Sequence, residues 1–201
     1  MKRFLLLIVL VLAGCEEPTP RAIIAQANAR GKITDWQAES LSKVESLAEL
    51  AGFLPLNGLT SITDEQAEIL SRVKDLGLNG LTSITDDQAE SLSGVSKLYL
   101  NGLTSITDQQ AESLSKGDIL VLNGLTTITD AQAESLSIDM IYLNGLSSIT
   151  ETQAESLSTV RYLELNGLTT VTDKQAEHLS KVSELYISEA LQPLIDKYKN
   201  Q

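Results

Sequence analysis

The sequence contains few side chains suited to covalent chemistry. Among its 201 residues there is one cysteine, Cys15, and one histidine, His178. No phosphate-binding loop, metal-ligand cluster or nucleophile elbow is recognisable, and we interpret His178 as a surface histidine. A single cysteine also excludes an intramolecular disulfide. We therefore predict that the protein is not an enzyme and that it has no cofactor, catalytic residue or metal ligand.

Carboxylates are abundant and recur at fixed intervals, so they are the next candidates for chemistry. Calcium needs six or more oxygen atoms that converge on one point, whereas a spaced file of single carboxylates offers no such convergence. We interpret the two files as a solvated face; the alternative is weak binding of divalent cations that bridge an anionic envelope. The files are Glu68, Glu90, Glu112, Glu134, Glu155 and Glu177, and Asp64, Asp86, Asp108, Asp130 and Asp173.

The charge balance excludes two classes of partner. The whole chain has 15 basic and 27 acidic residues, a formal charge of −12. Loss of Lys2 and Arg3 with a cleaved leader leaves 13 basic residues against 27 acidic ones, a charge of −14. Nucleic-acid binding depends on neutralising phosphates, and anionic lipid attracts basic segments. Neither partner suits this composition.

The regularly spaced carboxylates belong to a repeated sequence unit. Its asparagine falls at intervals of 22, 22, 22, 21 and 22 residues. A fixed period of this size is typical of a solenoid, in which units too small to fold alone bury their apolar flanks against each other. The repeated asparagines are Asn57, Asn79, Asn101, Asn123, Asn144 and Asn166.

Each repeat begins with a short strand. Alternation places Leu76 and Leu78 on one side of the strand, and we expect a parallel partner from the next repeat. Gly80 follows Asn79 where the chain leaves the strand, and we predict that it supplies a residue with positive φ.

Each repeat ends with a short helix. Thr85 and Gln88 have the spacing of a capping box, with Asp86 and Asp87 in the first turn, where the helix dipole favours acids. Ala89 and Leu92 share one face. The same pair recurs as Thr34/Gln37, Thr63/Gln66, Thr107/Gln110, Thr129/Gln132, Thr150/Gln153 and Thr172/Gln175.

The pattern Leu-x-x-Leu-x-Leu-x-Gly-Leu-Thr-x-Ile-Thr-Asp resembles a leucine-rich repeat, over residues 33–187. It is most similar to the cysteine-containing subclass. The resemblance implies an α/β solenoid with parallel strands on the concave face, short helices on the convex face and helical caps. Leucine stands where the family has Cys or Asn, which predicts that the usual buried asparagine ladder is missing. These residues are Leu59, Leu81, Leu103, Leu125, Leu146 and Leu168.

The N-terminus has the form of a secretory signal. Met1-Lys2-Arg3 is followed by an apolar run over residues 4–12, which is too short to span a membrane. Leu12-Ala13-Gly14-Cys15 resembles the bacterial lipobox, which implies cleavage before Cys15 and its acylation, with palmitate among the chains. The alternative is an ordinary signal peptide with an incidental cysteine. Glu16 is not the Asp that favours inner-membrane retention in similar lipoproteins, so we expect an outer-membrane location in the cell envelope.

The sequence divides into five segments. We predict a lipoprotein signal peptide at 1–14, a lipidated cysteine and tether at 15–21, and a helical N-terminal cap with a first partial repeat at 22–53. Leucine-rich repeats follow at 54–187, and a capping helix at 188–201. In the N-terminal cap, we expect residues 22–29 to form one or two helical turns and Trp36 to pack across the end of the array.

The strand positions that face away from the core differ from repeat to repeat. We predict that Tyr99, Val121 and Tyr142 form one row and Ile119, Met140 and Tyr162 the next. An exposed apolar and aromatic patch is typical of a recognition surface, although such residues also simply suit strands. The predicted partner-binding residues are Tyr99, Ile119, Val121, Met140, Tyr142, Tyr162 and Tyr186.

These inferences predict an envelope-anchored lipoprotein that binds a protein partner through its concave sheet. The first alternative is a structural or adhesive envelope protein that uses a cation-bridged acidic convex face. Glycan binding is a further alternative, because tyrosines also stack on sugars. Hydrolytic activity is another.

Overall fold

The computed structural model describes residues 18–43 and 52–199. Residues 1–14 and Cys15, to which we assigned the leader and the acylation site, lie outside the described residues. The helices and strands are Pro20–Arg30 (α1), Asp35–Ser42 (α2), Phe53–Pro55 (β1), Asp64–Leu70 (α3), Asp75–Gly77 (β2), Asp86–Leu92 (α4), Lys97–Tyr99 (β3), Asp108–Leu114 (α5), Ile119–Val121 (β4), Asp130–Ser135 (α6), Met140–Tyr142 (β5), Glu151–Leu157 (α7), Tyr162–Leu165 (β6), Asp173–Leu179 (α8), Glu184–Ile187 (β7) and Gln192–Lys199 (α9).

The described strands form one parallel sheet in the order in which they occur in the chain, β1 to β7. Each strand pairs with its equivalent one repeat later, so that Leu76 lies beside Leu98 and Leu98 beside Leu120. Between successive strands the chain crosses through one short helix, and successive helices pack against each other. The predicted α/β solenoid is therefore confirmed.

The interior is a single continuous apolar core between the sheet and the helices. Leu76, Leu78, Leu81, Ala89 and Leu92 are all fully buried. The inward direction predicted for the strand leucines is thus confirmed, and equivalent residues of neighbouring repeats extend the same core along the whole array.

The capping boxes are also confirmed. In helices α2 to α8, the threonine side chain accepts a hydrogen bond from the backbone N–H of the glutamine. The glutamine side chain in turn accepts one from the backbone N–H of the threonine, as Gln110 Oε1 does from Thr107 at 3.0 Å. Helices of six to eight residues are too short to persist alone, so these caps and the packing hold them.

The prediction for the Asn-Gly corner is wrong. Positive φ occurs only at Gly31 and Gly52 among the described glycines, and not at Gly80. A Cβ atom on Gly80 would lie 2.5 Å from the backbone carbonyl oxygens of both Asn57 and Leu59 in the preceding repeat. Glycine is required here because neighbouring backbones approach too closely for a side chain, not because of its φ angle.

At the position where the family has its buried asparagine ladder, this chain has buried leucines as expected, but a different asparagine ladder joins the repeats. Asn79 Oδ1 accepts a hydrogen bond from the backbone N–H of Asn101 at 3.0 Å, and Asn101 Oδ1 accepts one from Asn123 at the same distance. The other rungs join Asn57 to Asn79, Asn123 to Asn144 and Asn144 to Asn166. The ladder lies two residues before the leucine position, so the leucines join the core while the asparagines of the corner join the repeats.

Helix α1 caps the N-terminal end of the array. It begins at Pro20, inside the segment predicted as a tether, because Thr19 accepts a hydrogen bond from the backbone N–H of Ala22. At 11 residues it is longer than the predicted one or two turns. Asn28 supplies the first rung of the corner, since its Oδ1 accepts from the N–H of Gly58 at 2.8 Å and its Nδ2 donates to the carbonyl of Pro55 at 2.9 Å.

Trp36, which we predicted to pack across this end, is only partly covered. It is 39% exposed, because it lies in the first turn of α2 while Ala38 and Leu41 are the residues that face the core.

The predicted C-terminal capping helix is present as α9, which packs against α8 and fully buries Ile195. Tyr198 and Lys197 both donate hydrogen bonds to Asp173 Oδ1, at 2.7 and 2.8 Å. These bonds lower the pKa of Asp173 and raise that of Lys197. No helix in the described part of the chain has the length and apolar character needed to cross a membrane.

The shortened repeat keeps its strand in register. Helix α6 has six residues where its neighbours have seven, and Leu136 closes it by donating its N–H to the carbonyl of Gln132 at 2.8 Å. Ile141 still pairs with Leu120. The one-residue deletion is therefore absorbed between the helix and the strand, and the corner that follows is unchanged.

Candidate functional site

The outer side of the sheet, which we call the sheet face, consists of two rows of side chains fixed by the strand register. The predicted rows are confirmed, because Val121 lies between Tyr99 and Tyr142, and Met140 lies between Ile119 and Tyr162. In full, the first row is Phe53, Asp75, Lys97, Ile119, Met140, Tyr162 and Glu184, and the second row is Pro55, Gly77, Tyr99, Val121, Tyr142, Glu164 and Tyr186.

An aromatic pair covers the N-terminal part of the sheet face. The rings of Phe53 and Tyr99 meet edge to face with centroids 5.3 Å apart, although their strands are separated by β2. They can meet because Gly77 lies between them, and a Cβ atom there would come within 2.7 Å of the Phe53 ring. Lys97 and Asp75 form an ion pair beside them at 3.5 Å. Tyr99 is thus held in a local cluster, and sequence reasoning omitted Phe53 from it.

The centre of the sheet face is aliphatic. Ile119 and Met140 are half-buried. Val121, in contrast, is only 6% exposed, because a tyrosine flanks it on each side in the second row. The expectation that Val121 offers contact surface is therefore wrong.

Three tyrosines form a continuous cluster over strands β5 to β7, which we call the tyrosine cluster. The ring centroids of Tyr142 and Tyr162 are 5.2 Å apart, and those of Tyr162 and Tyr186 are 4.9 Å apart. The planes are tilted by 38° and 34°. Tyr186 is 48% exposed, whereas Tyr142 and Tyr162 are half-buried. These rings are the largest accessible aromatic surface of the sheet face.

Glu164 organises the tyrosine cluster. Its Oε1 accepts a hydrogen bond from the hydroxyl of Tyr162 at 2.7 Å, and its Oε2 accepts one from Asn144 Nδ2 at 2.9 Å. Sequence reasoning did not select Glu164. The signal was its position in the second row, between Tyr142 and Tyr186.

The surroundings of Tyr162 raise the pKa of its hydroxyl. Partial burial in the tyrosine cluster is the largest cause, and the hydrogen bonds with Glu164 and Tyr142 add to it. The neutral phenol is favoured because ionisation would place a second negative charge beside the Glu164 carboxylate. Tyr162 therefore remains a hydrogen-bond donor at physiological pH.

On the helix side of the array, opposite the sheet face, aspartate side chains connect neighbouring repeats by hydrogen bonds. Asp86 Oδ1 accepts a hydrogen bond from the Thr107 hydroxyl of the next repeat at 2.9 Å, and Asp108 and Asp130 accept from their next threonines at 3.0 and 2.9 Å. Beside this file, Gln110 Nε2 donates to the carbonyl of Ile84 at 3.0 Å. In residues 18–43 and 52–199, no group of three or more His, Cys, Asp or Glu residues is placed to hold a metal ion.

His178 is half-buried rather than fully on the surface, in a helix α8 that packs against α9. Its Nδ1 atom is buried and has no hydrogen-bond partner within the part of the chain that the structure describes.

In-register parallel strands with one short helix per repeat define an α/β solenoid of the leucine-rich repeat type. Neither a known family model nor a curated protein matches this sequence. Among solved structures, the chain is similar to a chain of the Toll–Spätzle complex, described as a molecular hub in Drosophila development and innate immunity. The TM-score is 0.48 with 15% identity over 70% of this chain, and the match spans about a fifth (21%) of that chain.

Proposed function

We propose that this protein is a non-enzymatic, lipid-anchored protein of the bacterial envelope that binds a protein partner through the sheet face. The tyrosine cluster is the observation that carries this proposal. Tyr142, Tyr162 and Tyr186 lie on consecutive strands and present adjoining rings to solvent. Tyrosine is enriched at protein interfaces because it offers a large contact area with few rotatable bonds.

The surface around the tyrosine cluster suits a partner that crosses several strands. Ile119 and Met140 extend the apolar strip toward β4, and Tyr99 with Phe53 continues it to the N-terminal end. The sheet that carries these residues is rigid, because the inner side of each strand is buried in the core and the corners are joined by the asparagine ladder. A preorganised surface loses little conformational freedom on binding.

The anchoring part of the proposal is supported by the leader and by Leu12-Ala13-Gly14-Cys15. If Cys15 carries the lipid, α1 begins only five residues later, at Pro20. An extended chain covers at most about 3.6 Å per residue, so the repeat array lies close to the membrane surface. Glu16 supports the outer membrane as the destination. The partner is then a second envelope protein or a protein that reaches the envelope.

The binding proposal is tested by crosslinking capture in the native host, followed by mass spectrometry. We expect the wild-type chain to retain one defined protein that the double variant Tyr99→Ser/Tyr142→Ser does not retain. The control is Gln109→Ser/Ala131→Ser, two changes to serine at exposed positions of the helix side, which should leave the capture intact. Equal capture by the wild-type chain and the tyrosine variant would disprove binding through the sheet face.

The anchor is tested separately by Cys15→Ser. We expect the wild-type chain to sediment with membranes and to incorporate labelled palmitate, and the variant to do neither. A variant that still fractionates with the membrane would contradict lipid anchoring through Cys15. The sheet-face experiment is unaffected by that result.

A further inference from the structure

Glu164 differs from the other carboxylates of the sheet face in its partners. Asp75 pairs with Lys97, and Asp139 and Glu184 each lie 3.9 Å from Arg161. Glu164 instead accepts hydrogen bonds from two neutral groups, the Tyr162 hydroxyl and the Asn144 amide, and forms no ion pair within the described residues. It is also half-buried. The site therefore holds a partly desolvated negative charge that no cation of the described chain compensates.

The acceptor capacity of Glu164 is not exhausted. An ionised carboxylate offers about four acceptor positions, and the hydrogen bonds from Tyr162 and Asn144 use one on each oxygen. Because Tyr162 and Asn144 hold both oxygens in place, a cation that approaches meets a fixed carboxylate. Ion-pair formation then costs little additional side-chain ordering.

Aromatic rings surround this carboxylate. Tyr142 and Tyr186 are its two neighbours in the second row, and Tyr162 contacts both rings. The face of an aromatic ring carries negative partial charge and attracts a cation within about 6 Å of its centroid. A carboxylate beside tyrosine rings is a combination that favours a guanidinium or ammonium group over a neutral or anionic one.

We propose that Glu164 and the tyrosine cluster bind an arginine or lysine side chain from a basic segment of the partner protein. This inference rests on the proposed function, and it specifies the chemistry of the partner. Charge complementarity supports it, since the chain carries a formal charge of −12. Arginine suits the site better than lysine, because a planar guanidinium stacks on rings and pairs with a carboxylate through two hydrogen bonds.

The probe for this site is a short peptide of alternating arginine and glycine, titrated into the isotopically labelled full-length chain and followed by nuclear magnetic resonance. We expect saturable shifts that concentrate in β5 to β7, and none with a peptide of alternating glutamate and glycine. Absence of shifts with the arginine peptide, or shifts spread evenly over the acidic helix side, would overturn the proposal.

Two variants with the same change in net charge distinguish specific binding at Glu164 from nonspecific attraction to an acidic protein. Glu164→Gln keeps the shape of the side chain and removes its charge, and Glu112→Gln makes the same change at an exposed position of the helix side. We expect the affinity for the arginine peptide to fall about tenfold in Glu164→Gln, the effect of one charge-assisted hydrogen bond, and to change little in Glu112→Gln. Equal affinities of the two variants would overturn the proposal.

The native partner distinguishes this inference from the proposed function. If crosslinking capture is lost in Tyr99→Ser/Tyr142→Ser and also weakened in Glu164→Gln, both proposals are supported. If capture is lost in the tyrosine variant and unchanged in Glu164→Gln, the sheet face binds a partner but not through a basic side chain. If neither variant loses the partner, the binding function itself fails.

Discussion

The Asn-Gly corners and the sheet face differ sharply in how much they vary, although they are only a few residues apart in each repeat. Six corners carry the same Asn-Gly pair, whereas the two outer positions change from Asp75/Gly77 to Lys97/Tyr99 to Ile119/Val121 in successive strands. At the corners, the backbone of one repeat touches that of the next. The outer side chains lie on the sheet face, on the opposite side of the strands from the core. Contact between neighbouring backbones fixes the residue type at the corners, whereas the sheet face admits several residue types.

The largest expected effect is a loss of folding stability when a glycine of an Asn-Gly corner is substituted. In Gly102→Ala the new methyl group would collide with the carbonyl of Leu81 and lie 2.5 Å from that of Asn79. We expect a loss of about 3 kcal/mol in the free energy of unfolding, the upper range for overpacking, measured by urea denaturation.

The matched control is Gly94→Ala, where the nearest atom lies 4.0 Å away. This variant should retain wild-type stability or gain a few tenths of a kcal/mol. Similar stabilities of the two variants would show that close approach does not explain the corner glycines.

The next effect concerns the asparagine ladder. Asn101→Ala removes the acceptor for the N–H of Asn123, and leaving a partly buried donor unpaired costs about 1–2 kcal/mol. Asn166 is the last asparagine of the file and is exposed, so Asn166→Ala should cost less than about 0.5 kcal/mol. Thermal and urea unfolding of both variants measure the difference, and equal losses would mean that the ladder adds nothing to stacking.

A smaller effect on stability is expected on the sheet face. Tyr186→Ser removes a 48% exposed ring that contacts Tyr162, and the loss of one aromatic pair costs about 1 kcal/mol or less. The same variant should reduce partner capture in the crosslinking experiment. A stability loss as large as that of Gly102→Ala would make the sheet face a structural element and weaken its assignment to binding.

The smallest expected effect is a loss of folding stability at alkaline pH that depends on Tyr162. Because the folded state raises the pKa of Tyr162, the unfolded chain loses this proton first, near pH ~10. The stabilisation is fully present below that pH and is lost as the pH rises through the folded-state pKa. Unfolding of wild type and Tyr162→Phe between neutral and alkaline pH should therefore show a steeper loss in the wild type. Parallel curves would contradict the raised pKa.

The features that sequence reasoning found depend on neighbours within one repeat. Alternation identified Leu76 and Leu78 as core residues, and the spacing of Thr85 and Gln88 identified the capping box. The strand rows followed because a fixed period places equivalent residues side by side.

The features that it missed depend on the distance between repeats, which the period alone does not give. The role of Gly80 is set by how closely the backbone of the preceding repeat approaches, and the asparagine ladder by the reach of one amide across that gap. Likewise, the burial of Val121 follows from the size of the tyrosines beside it. Glu164 was overlooked because one of its two hydrogen bonds comes from Asn144, in the corner of the preceding repeat.

The shortened fifth unit shows where this architecture accepts changes in length. A residue was lost between Leu136 and Met140 without shifting any strand pair, so the crossing from helix to strand acts as an adjustable joint. If one whole repeat is deleted or duplicated, with both ends cut at this crossing, the two repeats that become neighbours should still pack against each other. Each added cassette would widen the accessible surface by one strand spacing, about 4.8 Å, and a descendant gene could match the footprint of a longer or shorter ligand by unequal recombination alone.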